Sequence, residues 1–112
     1  VSERLPSGIV VSALLRRVND QGGFAVVRAR GDAQAGALLV IALEQGANPR
    51  ILERGIGPSG TTELVRTGPS GGDSEEIEAY WQRRRSRDPD LWVIELDIPF
   101  AERFAAETIL GD

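Results

Sequence analysis

Apolar and polar positions repeat with two different periods along this chain, and each change of period marks a new element. From Gly8 to about Asp20, Val10, Val11, Leu14, Leu15 and Val18 recur at helical spacing. Ser7 stands where it can cap that helix. Arg16 and Arg17 near its end suit the negative pole of the helix dipole. Gly22-Gly23 is a natural stop, and Val1–Pro6 reads as a loose lead-in. From Phe24 to Arg30 the period becomes two. Phe24, Val26, Arg28 and Arg30 share one side, and Ala25, Val27 and Ala29 the other. Ala37–Glu44 is apolar on both faces, which suits an interior strand. With Gly31–Gly36 as a Gly-containing link, these two runs predict a β-hairpin.

Gly46-Ala47-Asn48-Pro49 predicts the next turn, and Arg50–Arg54 a short strand. Gly55-Ile56-Gly57-Pro58-Ser59-Gly60 spells the three-glycine dinucleotide fingerprint. That motif works only where a strand leads straight into a helix. Here Thr61–Arg66 follows, a stretch that prefers extended structure, so a hairpin loop is expected. Gly68–Asp73 is a second glycine-rich loop, and this one does precede a helix. Asp73 and Glu76 fit a capping box, so carboxylates already occupy the positive end of the dipole where a phosphate would sit.

That helix should run from Ser74 to about Arg87 with Ile77, Tyr80 and Trp81 towards the sheet. Glu75, Glu76 and Glu78 open it; Arg83, Arg84, Arg85 and Arg87 close it, matching the dipole. Pro89 makes Asp88 a boundary. Leu91–Ile98 then reads as the most strand-like run in the chain. Trp92, Ile94, Leu96 and Ile98 share one face; Leu91, Val93, Glu95 and Asp97 share the other. An aromatic pair of Trp81 with Trp92 would anchor such a core. Pro99 pre-sets the first turn of a last helix, with Phe100, Phe104 and Ile109 along its apolar edge and Gly111 as its stop.

The order is helix, four short strands, helix, strand, helix. It predicts a single α+β domain over residues 1–112, a mainly antiparallel sheet of about five short strands with helices packed on one face.

Composition narrows the chemistry more than the fold. There is no Cys and no His, which removes thiol nucleophiles, zinc–thiolate sites and the commonest general base. All 13 basic residues are Arg, so a Schiff-base lysine and a P-loop lysine are also absent. No cofactor or metal site is expected. The net charge of −4 makes the whole chain a poor general ligand for nucleic acid. No leader pattern and no apolar run near 20 residues is visible, so a soluble, cytoplasmic protein without membrane contact is expected.

Asp88-Pro89-Asp90-Leu91-Trp92-Val93-Ile94-Glu95 carries a family resemblance, together with Leu14-Leu15-Arg16-Arg17, Gly23–Arg28, Arg30-Gly31-Asp32 and Ala35-Gly36. In these stretches the chain resembles domain of unknown function 1491, a small, mostly alphaproteobacterial family. The resemblance implies nothing about activity, since the family is uncharacterised. It marks Asp88, Pro89, Asp90, Leu91 and Trp92 as structural signature positions.

Three classes of function are open. The favoured one is a non-catalytic protein-interaction module contacting an unknown protein partner through Arg83, Arg84, Arg85 and Arg87, joined by Arg16 and Arg17 if the helices lie together. A sheet edge would also let it pair with a second copy as a homodimer. The alternative is RNA binding through the same arginines. A carboxylate-only enzyme built on Asp88, Asp90 and Glu95 comes last, because turn chemistry already accounts for Asp88 and Asp90.

Overall fold

The computed structural model describes residues 4–69 and 73–111. Its elements are α1 (Ser7–Asp20), β1 (Phe24–Ala29), β2 (Leu38–Glu44), β3 (Ala47–Ile56), β4 (Thr62–Thr67), α2 (Ser74–Arg87), β5 (Trp92–Asp97) and α3 (Ala101–Ile109). The five strands form one sheet in the order β1-β5-β2-β3-β4. Only β2 and β5 run parallel; the other neighbours are antiparallel. The α+β class and the mainly antiparallel five-stranded sheet follow the expectation.

Two cores sandwich the sheet. On one face Val40, Ala42, Leu52, Trp92, Ile94 and Leu96 meet Val11, Leu14 and Val18 of α1 and Ala101, Ala105 and Ile109 of α3. On the other, Leu39, Ile41, Ile51, Leu91 and Val93 meet Ile77 and Trp81 of α2. One covered face therefore describes α1 and α3, while α2 lies on the opposite side. β2 requires this, because it is apolar on both faces, and β5 adds Val93 to the second face before that face turns acidic at Glu95 and Asp97. Fully buried side chains such as Leu14, Leu39 and Ile94 each contribute about 1.5–3 kcal/mol through removal from water.

Several local expectations are corrected. β1 and β2 do not form a hairpin, because β5 enters between them. Phe24 lies opposite Asp97 and Val27 opposite Ile94, while Val40 lies beside Ile94 from the other side. Trp81 and Trp92 belong to different cores, so they make no pair. Ser7 is not a side-chain cap. Its Oγ is buried and donates to the Gly36 carbonyl at 2.6 Å, and the free N–H groups of Ser7 and Gly8 donate to Gln34 and Ala33 carbonyls. The β2–β3 turn is Gln45-Gly46, both at positive φ as a two-residue hairpin turn demands, and β3 starts at Ala47. α3 begins after Phe100, which sits in the left-handed region and is exposed. Ala105 replaces it on the buried edge.

Other expectations hold. The Gly55–Gly60 stretch ends β3 and turns into β4, with Gly57 and Thr61 bonded across the loop. Asp73 and Glu76 form the capping box of α2. Of the loop before α2, Ser70–Gly72 lies outside the described residues, as does Val1–Glu3 of the lead-in.

The signature stretches converge in space. Asp32 N–H donates to the Asp90 carbonyl at 3.0 Å, and Trp92 Nε1 donates to the Asp32 carbonyl at 2.8 Å. Gly31 and Gly36 approach the Asp90 carbonyl so closely that a Cβ on either would collide with it. Glycine at both positions is thus a packing requirement between a turn and the entry to β5.

Candidate functional site

The arginines at the end of α2 do not form one free cluster. Arg84 lies one turn beyond Tyr80 on the face of α2 that meets the sheet, and it reaches Glu53 of β3. Its Nη1 and Nη2 donate to Glu53 Oε2 and Oε1 at 2.6 and 2.7 Å, and Nη1 also donates to the Tyr80 hydroxyl at 2.9 Å. The fork onto Glu53 raises the Arg84 pKa despite burial. Burial works against a charged Glu53, but the bonds from Arg84 and Thr67, with the Arg84 charge, outweigh it and hold the carboxyl below its ordinary value. Arg85 is equally committed. Its Nη1 donates to the carbonyls of Arg30, Pro89 and Leu91, pinning the end of α2 to the entry of β5.

Arg16, Arg83 and Arg87 are the exposed members of the set, and Arg83 lies over the Tyr80 ring at 6.0 Å. Arg17 sits on the opposite side of the sheet from α2. It donates to Glu107 at 2.8 Å and Thr108 at 2.6 Å, over the Phe104 ring. The two arginine groups are therefore separated by the sheet, because α1 and α2 cover different faces.

The carboxylates are also spoken for individually. Asp88 caps α2 and its Oδ1 accepts from Asp90 N–H at 3.1 Å, the turn chemistry expected of it. Asp90 offers its backbone carbonyl to Asp32. Glu95 accepts from Arg28 at 2.9 Å, and Arg28 also reaches Glu78 of α2. Burial opposes the Arg28 charge, yet bonds to Glu78 and Glu95 raise its pKa overall. The same guanidinium lies 5.5 Å from the Trp81 ring centroid. Asp97 accepts from Gln45 and Gly46 N–H at 2.7 and 2.8 Å and so holds the β2–β3 turn. Among the described residues no group of three acidic side chains is placed to hold a metal ion.

The surface that sequence reading passed over is the outer strand. β1 is an edge of the sheet, and on its α2 side Phe24 is 73% and Val26 49% exposed. α2 stops short of them. Between α2 and the ends of β2 and β5 lies a cavity of about 370 Å³ lined by Arg28, Ile41, Leu43, Ile77 and Glu95. Alternation puts Phe24, Val26, Arg28 and Arg30 on one side; it does not show that β1 ends the sheet, nor that a register shift after Val27 turns Ala29 onto the α2 side.

The family profile described as protein of unknown function (DUF1491) matches residues 5–106. The chain belongs to the DUF1491 family. Its architecture is similar to the crystal structure of a DUF1491 family protein from Caulobacter crescentus CB15, with 33% identity, a TM-score of 0.77 and 89% and 94% of the two chains covered. A solution structure of a DUF1491 family protein from the same organism gives 32% identity and a TM-score of 0.76, covering 92% and 94%. Protein Atu0922 from A. tumefaciens is 32% identical, with a TM-score of 0.69 over 86% and 87% of the chains. No curated protein matches. Membership of DUF1491 and the alphaproteobacterial relatives agree with the resemblance carried by the Asp88–Glu95 stretch. No described helix is long and apolar enough to cross a membrane.

Proposed function

We propose that this DUF1491 protein is a non-catalytic protein-interaction module whose contact surface is the open edge of β1, and that the partner it fits is a second copy of itself. The observation that carries this reading is the exposure of Phe24 and Val26 on that edge strand. Edge strands are ordinarily blunted by charge, proline, a bulge or a covering element. β4, the other edge, carries Glu63 and Arg66 among its six residues. β1 carries one charge, Arg28, which is held by Glu78 and Glu95, and its register shift falls at that end, between Val27 and Ala29, so that Phe24 to Val27 remain a regular edge.

A twofold contact must be self-complementary. Antiparallel pairing of β1 with β1 of the partner subunit, centred on Val26, sets Val26 against its own copy. It also sets Phe24 against Arg28 of the partner subunit. That register opposes no like charges within the strands, and its apolar centre is Val26 flanked by Phe24. The arginine set of α2 supports a nucleic-acid reading less, since Arg84 and Arg85 are already engaged.

Sedimentation equilibrium of the wild-type chain and of Val26→Lys tests the reading. The expected result is a concentration-dependent dimer for the wild type and a folded monomer for Val26→Lys. A wild type that stays monomeric at all concentrations, or a Val26→Lys variant that dimerises as well, overturns it.

A further inference from the structure

β3 sends two arginines onto the face covered by α1 and α3, and their surroundings differ. Arg50 donates from Nε and Nη2 to Glu102 in the first turn of α3, at 3.0 Å each. Arg54, two strand repeats further along the same face, reaches the other end of α3. There it donates from Nη2 to the Ile109 carbonyl at 2.5 Å, its one hydrogen bond among the described residues. A guanidinium has five N–H donors, so most of its capacity is unspent. No carboxylate of the described residues lies within ion-pair distance of it. Instead its neighbour is Arg4, and the two line one cavity of about 610 Å³.

Glu53 also borders this cavity, but its carboxylate is taken by Arg84 and Thr67. The charge of the arginine pair is therefore not offset from that side. Burial, and then the charge of Arg4, pull the Arg54 pKa below its ordinary value, as expected where a cation waits for a counter-ion. The remaining wall is mixed: Leu5, Val10, Leu38 and Leu110 give it an apolar part, and Ser7, Gln34 and Thr108 add polar groups beside it. Leu5 is 62% exposed and has nothing over it among the described residues. The volume falls within the range of small-molecule sites, which pair an apolar lining with a few placed polar groups.

We infer that this cavity binds a small amphipathic anion, its carboxylate or phosphate head on Arg54 and Arg4 and its apolar body against Leu5, Val10, Leu38 and Leu110. A guanidinium fork accepts either head group in two parallel hydrogen bonds, which a neutral hydroxyl cannot match. The site lies on the face away from the β1 surface and is independent of it.

The test is a titration of the full chain followed by amide chemical shifts, with octanoate, octyl phosphate and octanol as probes. The expected result is saturable binding of octanoate or octyl phosphate, with shifts in Arg54, Leu110 and Gly36. Whichever of the two binds more tightly identifies the head group. Octanol should bind at least about tenfold more weakly, as should the better anion to Arg54→Gln. Arg4→Gln provides a second variant, because Arg4 makes no ion pair among the described residues, and it should weaken binding in the same direction. Absence of saturable binding by both anions overturns the inference. So does octanol binding as tightly as the anions, or anion binding unchanged in both arginine variants.

Discussion

Arg84 and Glu53, 31 residues apart in the chain, meet in a two-pronged ion pair that ties α2 to β3 across the edge of the second core. Both donor–acceptor distances are short, and the Tyr80 hydroxyl and Thr67 complete the shell. Glu53 is largely buried, with 13% of its side chain exposed. Replacing Arg84 with Gln should lower the unfolding free energy by about 2 kcal/mol, read from urea denaturation. Arg84→Lys should recover only part of it, since an ammonium cannot present the planar fork. The Glu53→Gln, Arg84→Gln pair should be less destabilising than the sum of the single changes.

The same pair sets an acid limit. The Glu53 carboxyl is held below its ordinary value of 4.5 in the folded protein. Its contribution is therefore complete above that value. As pH falls past it, the unfolded chain takes up a proton that native Glu53 refuses, and the stabilisation declines until the native group protonates too. Glu53→Gln should be less stable than wild type at pH 7 and show a shallower loss of stability below pH about 4.5. Parallel slopes for the two proteins in thermal melts across that range would count against the assignment.

The arginines separate into holders and bystanders. Arg85→Ala strips donors from three backbone carbonyls and should cost about 1–3 kcal/mol. The combined change Arg16→Glu, Arg83→Glu and Arg87→Glu touches exposed side chains and should stay within about 1.5 kcal/mol of wild type. Denaturation midpoints check both. The charge-reversed protein then serves to ask whether any acidic partner or RNA depends on these residues, with binding that falls steeply with salt if phosphates are involved.

Local features of this fold were legible where local chemistry decides them. The limits of α2, its capping box, the two faces of β5 and the hairpin loop at Gly55–Gly60 follow from spacing and turn residues alone. Strand partners were not legible. Nothing in Phe24–Ala29 says that it pairs with Trp92–Asp97 and not with the run that follows it, because alternation specifies a face and not a neighbour. The apolar character of β2 on both faces was legible as an interior position, but the cover it needs on its second side, which α2 supplies, was not expected. The candidate sites were hidden for a related reason. Whether Arg84 is free or Arg54 lacks a carboxylate depends on residues tens of positions away, and only the sheet order brings those together.

The single parallel pairing has a consequence for how the chain is made. β2, β3 and β4 are consecutive antiparallel neighbours and can zip together as they emerge from the ribosome. β1 has no neighbour in the sheet until β5 is synthesised, 67 residues later by the offset of Val27 from Ile94. Until then β1 has no strand partner, while the start of α1 can already bond to the Ala33–Gly36 turn through Ser7 and Gly8. β5 is the strand that closes the sheet, so a product ending before Trp92 leaves β1 without a partner and the α1 face without Trp92, Ile94 and Leu96.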